Sequence, residues 1–181
     1  MMKYLLGVKE MGENVCCFFG HREIDETAEL QKWLSETVEM LIAEMGVDTF
    51  LFGSKSKFNT LCHETVTAIK KKYPNVKRIY VRAEYPHINE SYEQYLLKDY
   101  EQTYYPERIE GAGKAVYVQR NYEMIDRSRY CIVYYDEAYM PKPRRQGGND
   151  FRKSGTKIAL EYARRRGLEV FVFTPHILSI D

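Results

Sequence analysis

The stretch Ser154-Gly155-Thr156-Lys157 places small side chains, a hydroxyl and a cation where a helical pattern begins. Ser154 suits a helix N-cap. Ile158, Ala159, Tyr162 and Ala163 fall on one helical face, and Gly167 follows three arginines that suit the negative end of a helix dipole. Bare backbone N–H groups at such a start receive anions well, so the chemistry expected here is the binding of a phosphate or another oxyanion. Two more segments carry similar residue types directly after apolar runs. In Gly20-His21-Arg22 the glycine permits a tight turn, and the imidazole and guanidinium reach for an anion. In Gly53-Ser54, followed by Ser56 and Asn59, hydroxyls and an amide supply donors ahead of another helical pattern.

Other familiar chemistries are missing. Neither GxGxxG nor GxxxxGK[ST] occurs, which removes the usual dinucleotide fingerprint and the P-loop. His63-Glu64 has no second histidine four residues on, so it lacks zincin spacing and reads as a capped, partly buried histidine; His87 and His176 receive no role. Cys16, Cys17, Cys62 and Cys131 lack CxxC spacing and sit in apolar segments, which suits buried thiols in a reducing compartment. No metal site is expected.

The elements that must position these residues follow from periodicity. Val15 to Phe19, Thr49 to Phe52, Arg78 to Val81, Tyr130 to Tyr135 and Glu169 to Phe173 read as strands, nearly continuous in apolar residues. Between them run helical stripes: Leu30, Leu34, Val38, Leu41 and Met45 before Gly46; Cys62, Thr65, Val66 and Ile69 before Pro74; Ala115, Val118, Tyr122 and Ile125; and the stretch after Ser154. A weaker helical pattern spans Ser91 to Tyr100. Such alternation implies an α/β, Rossmann-like three-layer domain with a mainly parallel sheet of five strands or slightly more, joined by right-handed crossovers. Ligands of such sheets bind beyond the carboxyl ends of the strands. The three glycine-bearing segments all leave strands at that edge, so they are expected to share one anion. The connections from Glu84 to Gly113 and from Asp136 to Lys153 are too long for simple turns, and loops of that length are usually functional or disordered. The second, with Gly147-Gly148 and a run of cations, reads as a lid that closes over the phosphate site.

At 181 residues, one domain over residues 1–181 is expected. The 27 basic and 26 acidic residues leave a net charge of +1, which argues against nucleic acid or an anionic membrane as a general partner. Nothing at the N-terminus reads as a signal peptide and no apolar run approaches membrane-spanning length, so a cytoplasmic location is expected and Asn89-Glu90-Ser91 is a chance sequon. Lys70-Lys71-Lys72 and Arg164-Arg165-Arg166 read as solvated helix ends.

Taken together, CCFFGHRE, FLFGSKSKFNTLCHETV, VQRNYEMIDRSRYCIVYYDE and SGTKIALEYARRRG resemble the SLOG superfamily over nearly the whole chain. That group includes the lonely-guy cytokinin-activating hydrolases and the fold of DNA-processing protein A, and the YpsA-like branch is the most similar. The resemblance implies a Rossmann-like fold that binds a nucleotide or nucleotide-derived ligand, often as an oligomer. It assigns Gly20, His21 and Arg22 to a first ligand loop, Gly53 and Ser54 to a second, Arg120 and Asn121 to the ligand edge, and Gly155 and Thr156 to the phosphate-holding turn, which the Ser154 cap read from the residues adjoins. Read from the residues alone, Arg120 could equally pair with Glu123 or Asp126 on its own helix. The hydrolase branch carries a catalytic glutamate at the position of Ala159, and its aspartate after the second ligand turn is Asn59 here. A methyl group cannot transfer a proton, so an active phosphoribohydrolase of that type is not expected.

The expected function is therefore binding or sensing of a nucleotide or an ADP-ribose-like ligand. Base stacking falls to tyrosines among the 16 present, with Tyr85, Tyr92, Tyr104, Tyr105 and Tyr139 in or near the two long connections. Two alternatives remain open: N-glycoside hydrolysis with Glu84, Glu161 or Asp136 as a replacement carboxylate, and a nucleic-acid or protein interaction module using Lys142, Arg144, Arg145, Arg152 and Lys153 as a basic finger.

Overall fold

A computed structural model describes residues 12–53, 55–140 and 154–175. Six strands form one all-parallel sheet: β1 (Gly12–Gly20), β2 (Thr49–Phe52), β3 (Lys77–Val81), β4 (Gln102–Tyr104), β5 (Ser128–Tyr134) and β6 (Glu169–Phe173). Their spatial order is β4-β3-β2-β1-β5-β6. The chain leaves β1 toward β2 on one side, and β5 returns to pair with β1 on the other, with Cys17 opposite Cys131 and Gly20 opposite Tyr134. The order reverses between β1 and β5, where open sheets of this kind form a crevice at their carboxyl edge.

Strict alternation along β1 divides the interior in two. Cys16 and Phe18 point into a cluster with Leu30, Leu34 and Leu41 of α1 (Ala28–Ala43) and Phe58 and Cys62 of α2 (Lys57–Lys70). Cys17 and Phe19 point the opposite way, toward Met124 and Ile125 of α4 (Val116–Asp126) and Ala159, Leu160 and Ala163 of α5 (Gly155–Arg165). Both faces of the sheet are thus covered by helices, which is why its strands are apolar almost throughout. All four cysteines are buried free thiols, and burial pushes those of Cys16, Cys62 and Cys131 well above the usual range.

Local chemistry sets the helix starts. The side chains of Thr27, Ser56 and Ser154 each accept a bond at 3.1 Å from the backbone N–H three residues on. The Glu84 to Gly113 connection holds what periodicity read only weakly or not at all. Asn89, the first residue of the chance sequon, caps α3 (Glu90–Leu96) by accepting from the Tyr92 N–H at 2.8 Å. The three-residue β4 then adds a sixth strand at the sheet edge. It is too short to show a period of two, and it pairs because Ile79 to Val81 of β3 offer it an open edge. No described helix is long and apolar enough to cross a membrane.

Candidate functional site

The carboxyl edge of the sheet opens into a cleft of about 740 Å³. Gly20, His21 and Arg22 reach it from the end of β1, Gly53, Lys55 and Ser56 from the end of β2, and Arg82, Ala83, Glu84 and Tyr85 from the end of β3. From α4 come Tyr117, Arg120 and Asn121; Tyr139 follows β5; Ser154, Gly155 and Thr156 open α5. Nine residues expected at a shared site therefore line one cleft: Gly20, His21, Arg22, Gly53, Arg120, Asn121, Ser154, Gly155 and Thr156. Ser54 lies outside the described residues, as does most of the expected lid, residues 141–153, which contains the whole basic finger.

The three glycines differ in what they do. A β-carbon on Gly20 would stand 2.4 Å from the Phe58 ring, and one on Gly53 would stand 2.6 Å from an Arg120 guanidinium nitrogen. None of the three has a positive φ, so the tight-turn reading of Gly20 is replaced by close packing against α2. Gly155 is different: no described residue lies within 4 Å of where a β-carbon would stand. Among the described residues nothing covers the start of α5 on that side. With the Lys157 N–H committed to Ser154, the N–H groups of Gly155 and Thr156 are the helix-start donors at the cleft. At α2 the equivalent position is partly filled, because the Arg22 carbonyl accepts from the Lys57 N–H at 2.9 Å.

Arg120 is 4% exposed. Its Nη1 donates to the carbonyls of Gly53 and Val81, and its Nε donates to Asn121 Oδ1 at 3.0 Å. The expectation that it could pair on its own helix is not met. Glu123 is taken by Arg127 at 2.6 Å, while Asp126 serves Arg108, Arg166 and the Tyr162 hydroxyl. Among the described residues no carboxylate lies within ion-pair distance of Arg120. Burial lowers its pKa to about 10, which leaves it cationic at neutral pH. A buried charge hydrogen-bonded only to neutral carbonyl and amide oxygens is costly and is satisfied best by an anion.

His21 is also buried, and its ring lies flat against Tyr139 with centroids 4.0 Å apart. The Asp136 N–H points at its Nε2 from 3.0 Å, while Nδ1 has no partner among the described residues. Burial lowers its pKa, so the imidazole is held neutral. Glu84 is moved down as well, chiefly by the Tyr117 hydroxyl, which donates to it at 2.7 Å, and by Lys55 at 3.4 Å. Arg82 Nη1 donates to the Tyr85 carbonyl at 2.8 Å, which fixes the loop after β3.

Several residues with expected or alternative roles stay outside the cleft lining. Ala159 is 1% exposed on the core-facing side of α5, and Asn59 is buried in the first turn of α2. Asp136 and Glu161 are not among the lining residues, which leaves Glu84 alone of the three substitute carboxylates at the cleft. Tyr85, Tyr92 and Tyr139 line it, whereas Tyr104 packs under Arg127 and Tyr105 does not reach it. His63 is the capped histidine expected, donating from Nε2 to the Asp99 carbonyl at 3.0 Å beside Tyr100. Of the two cation runs, Lys72 pairs with Glu39 at 2.5 Å and Arg166 with Asp126 at 2.8 Å, so neither run is merely solvated. Lys55, Tyr80, Arg82 and Tyr117 were not singled out by sequence. The usable signal was position, since Arg82 follows a strand at the same edge as the other loops. No family model matches this chain, and no curated protein matches it.

Proposed function

We propose that the cleft binds a nucleotide or nucleotide-derived ligand, with a phosphate between the start of α5 and Arg120. The observation that carries this reading is Arg120: a buried cation, without a carboxylate partner among the described residues, lining the same cleft as Gly155 and Thr156 at the start of α5. Two or three charge-assisted hydrogen bonds, at about 1.5–3 kcal/mol each before ordering costs, hold a bare phosphate only at about millimolar to micromolar strength. A nucleotide adds stacking, for which Tyr85, Tyr92, Tyr117 and Tyr139 present ring surface in the cleft. This reading agrees with the resemblance to the SLOG superfamily, and membership of that group is part of the proposal.

Screening of melting temperature against mononucleotides, dinucleotides, ADP-ribose and inorganic phosphate tests it. Nucleotides are expected to raise the midpoint more than phosphate at equal concentration. No shift with any of them overturns the proposal. A second reading, N-glycoside hydrolysis, is favoured by the ionised Glu84 in the cleft and opposed by the burial of Ala159. Release of free base from a nucleoside monophosphate at about 1 per second, an ordinary enzymatic rate, selects it.

A further inference from the structure

The cleft is lined by the cations Arg22, Lys55, Arg82 and Arg120, so a carboxylate within it calls for a reason. Glu23 has one, since it faces Lys57 at 2.7 Å. Glu84 is different. The Tyr117 hydroxyl donates to its Oε1 at 2.7 Å, and Lys55 Nζ lies 3.4 Å from its Oε2. These partners keep it ionised, and an ionised carboxylate is an acceptor only. Toward a phosphate it is repulsive. As a purely structural device the cluster contributes little, because exposed pairs of this kind are worth about 0–1 kcal/mol and the Lys55 side chain is 74% exposed.

Each Glu84 oxygen has one of these donors and retains a further lone pair. Two hydroxyls on adjacent carbons match two carboxylate oxygens, as the acidic residue at the ribose does in dinucleotide-binding sheets. The charge of Glu84 is also felt at Arg120, so both belong to one electrostatic neighbourhood. The cleft thus has an anion-seeking pole, at Arg120 and the start of α5, and a donor-seeking pole at Glu84. A sugar phosphate presents both groups, whereas inorganic phosphate or pyrophosphate presents only the first.

We propose that Glu84, oriented by Tyr117 and Lys55, accepts the hydrogen bonds of a vicinal diol, making the cleft selective for ribose-containing ligands with free 2′- and 3′-hydroxyls. This rests on the nucleotide reading above.

Calorimetric titration with AMP, GMP, CMP and UMP, each beside its 2′-deoxy form, and with pyrophosphate separates the two claims. The preferred ribonucleotide is expected to bind about tenfold more tightly than its deoxy form, the value of one charge-assisted bond. Glu84→Gln should shrink that ratio to about twofold or less while leaving pyrophosphate binding unchanged or tighter, because a repulsive charge has gone. Tyr117→Phe keeps the charge and frees the carboxylate, so an intermediate ratio of about threefold is expected. Equal binding of ribo and deoxy forms by the unaltered protein overturns the role of Glu84 and leaves the nucleotide reading standing. Equal weakening of ribonucleotide and pyrophosphate in Glu84→Gln makes the cluster structural and also overturns it. Binding of pyrophosphate without any nucleotide, or of nothing, removes both claims.

Discussion

Arg120 concentrates the balance between stability and binding in one side chain. Replacing it with Met removes the charge but strips the Gly53 and Val81 carbonyls of their donor, so a loss of about 1–3 kcal/mol in unfolding free energy is expected by denaturant titration. The same change should abolish the thermal shift caused by pyrophosphate. Arg120→Lys keeps the charge without the planar fork and should weaken nucleotide binding about tenfold. An undiminished pyrophosphate shift in Arg120→Met excludes the guanidinium as the anion's partner. Ala159 sets the opposite limit. A glutamate there would bury a carboxylate among Met124, Leu160 and Ala163, so Ala159→Glu should cost about 3 kcal/mol or more and create no hydrolase. A folded Ala159→Glu variant that releases base from AMP contradicts this.

Among the elements, α5 and α2 present starts with similar residue types and different freedom. Gly155→Ala puts a methyl group where no described residue lies within 4 Å, at the first position of a helix, where alanine is favoured over glycine by up to about 1 kcal/mol. Stability is expected to hold or rise while phosphate-bearing ligands bind more weakly, because the methyl occupies their approach. Gly20→Ala drives a β-carbon into the Phe58 ring and should cost about 1–3 kcal/mol in thermal or denaturant melts. The reverse pattern, a destabilised Gly155→Ala and a tolerated Gly20→Ala, would show that the two glycines have been assigned each other's roles.

For the whole molecule, His21 links the sheet edge to pH. Its folded pKa lies below the unfolded value of about 6.5, so near pH 7 and above both states are neutral there and stability is complete. As pH falls through the unfolded value, the unfolded chain takes up the proton first and stability declines, until the folded pKa is passed. The melting temperature should therefore drop as pH falls below about 7, and His21→Phe should flatten that slope while keeping a ring against Tyr139. A slope unchanged in His21→Phe assigns the effect to other groups. The carboxylates moved down in the fold, Glu39, Glu84 and Glu101, contribute stability above the ordinary carboxylate value and lose it as pH falls from there through their lowered folded values.

The helices, five of the strands and the edge at which the loops gather were legible in the sequence, because period, caps and apolar runs are local properties. The sequence could also place Gly20, Gly53 and Gly155 after strands, since alternation of strand and helix leads to a parallel sheet whose carboxyl ends lie together. Tertiary structure decided what each residue does there. Whether Arg120 faces Glu123 or the Gly53 carbonyl depends on which helix face meets β2 and β3, and the spacing of three residues along α4 carries no information about that. β4 exists because β3 offers an edge, a partner some twenty residues distant. Lys55, Arg82, Glu84 and Tyr117 come together from the loops after β2 and β3 and from α4, so their meeting has no local signature. Local periodicity fixes what a segment can be; long-range packing fixes which polar groups are left facing the cleft.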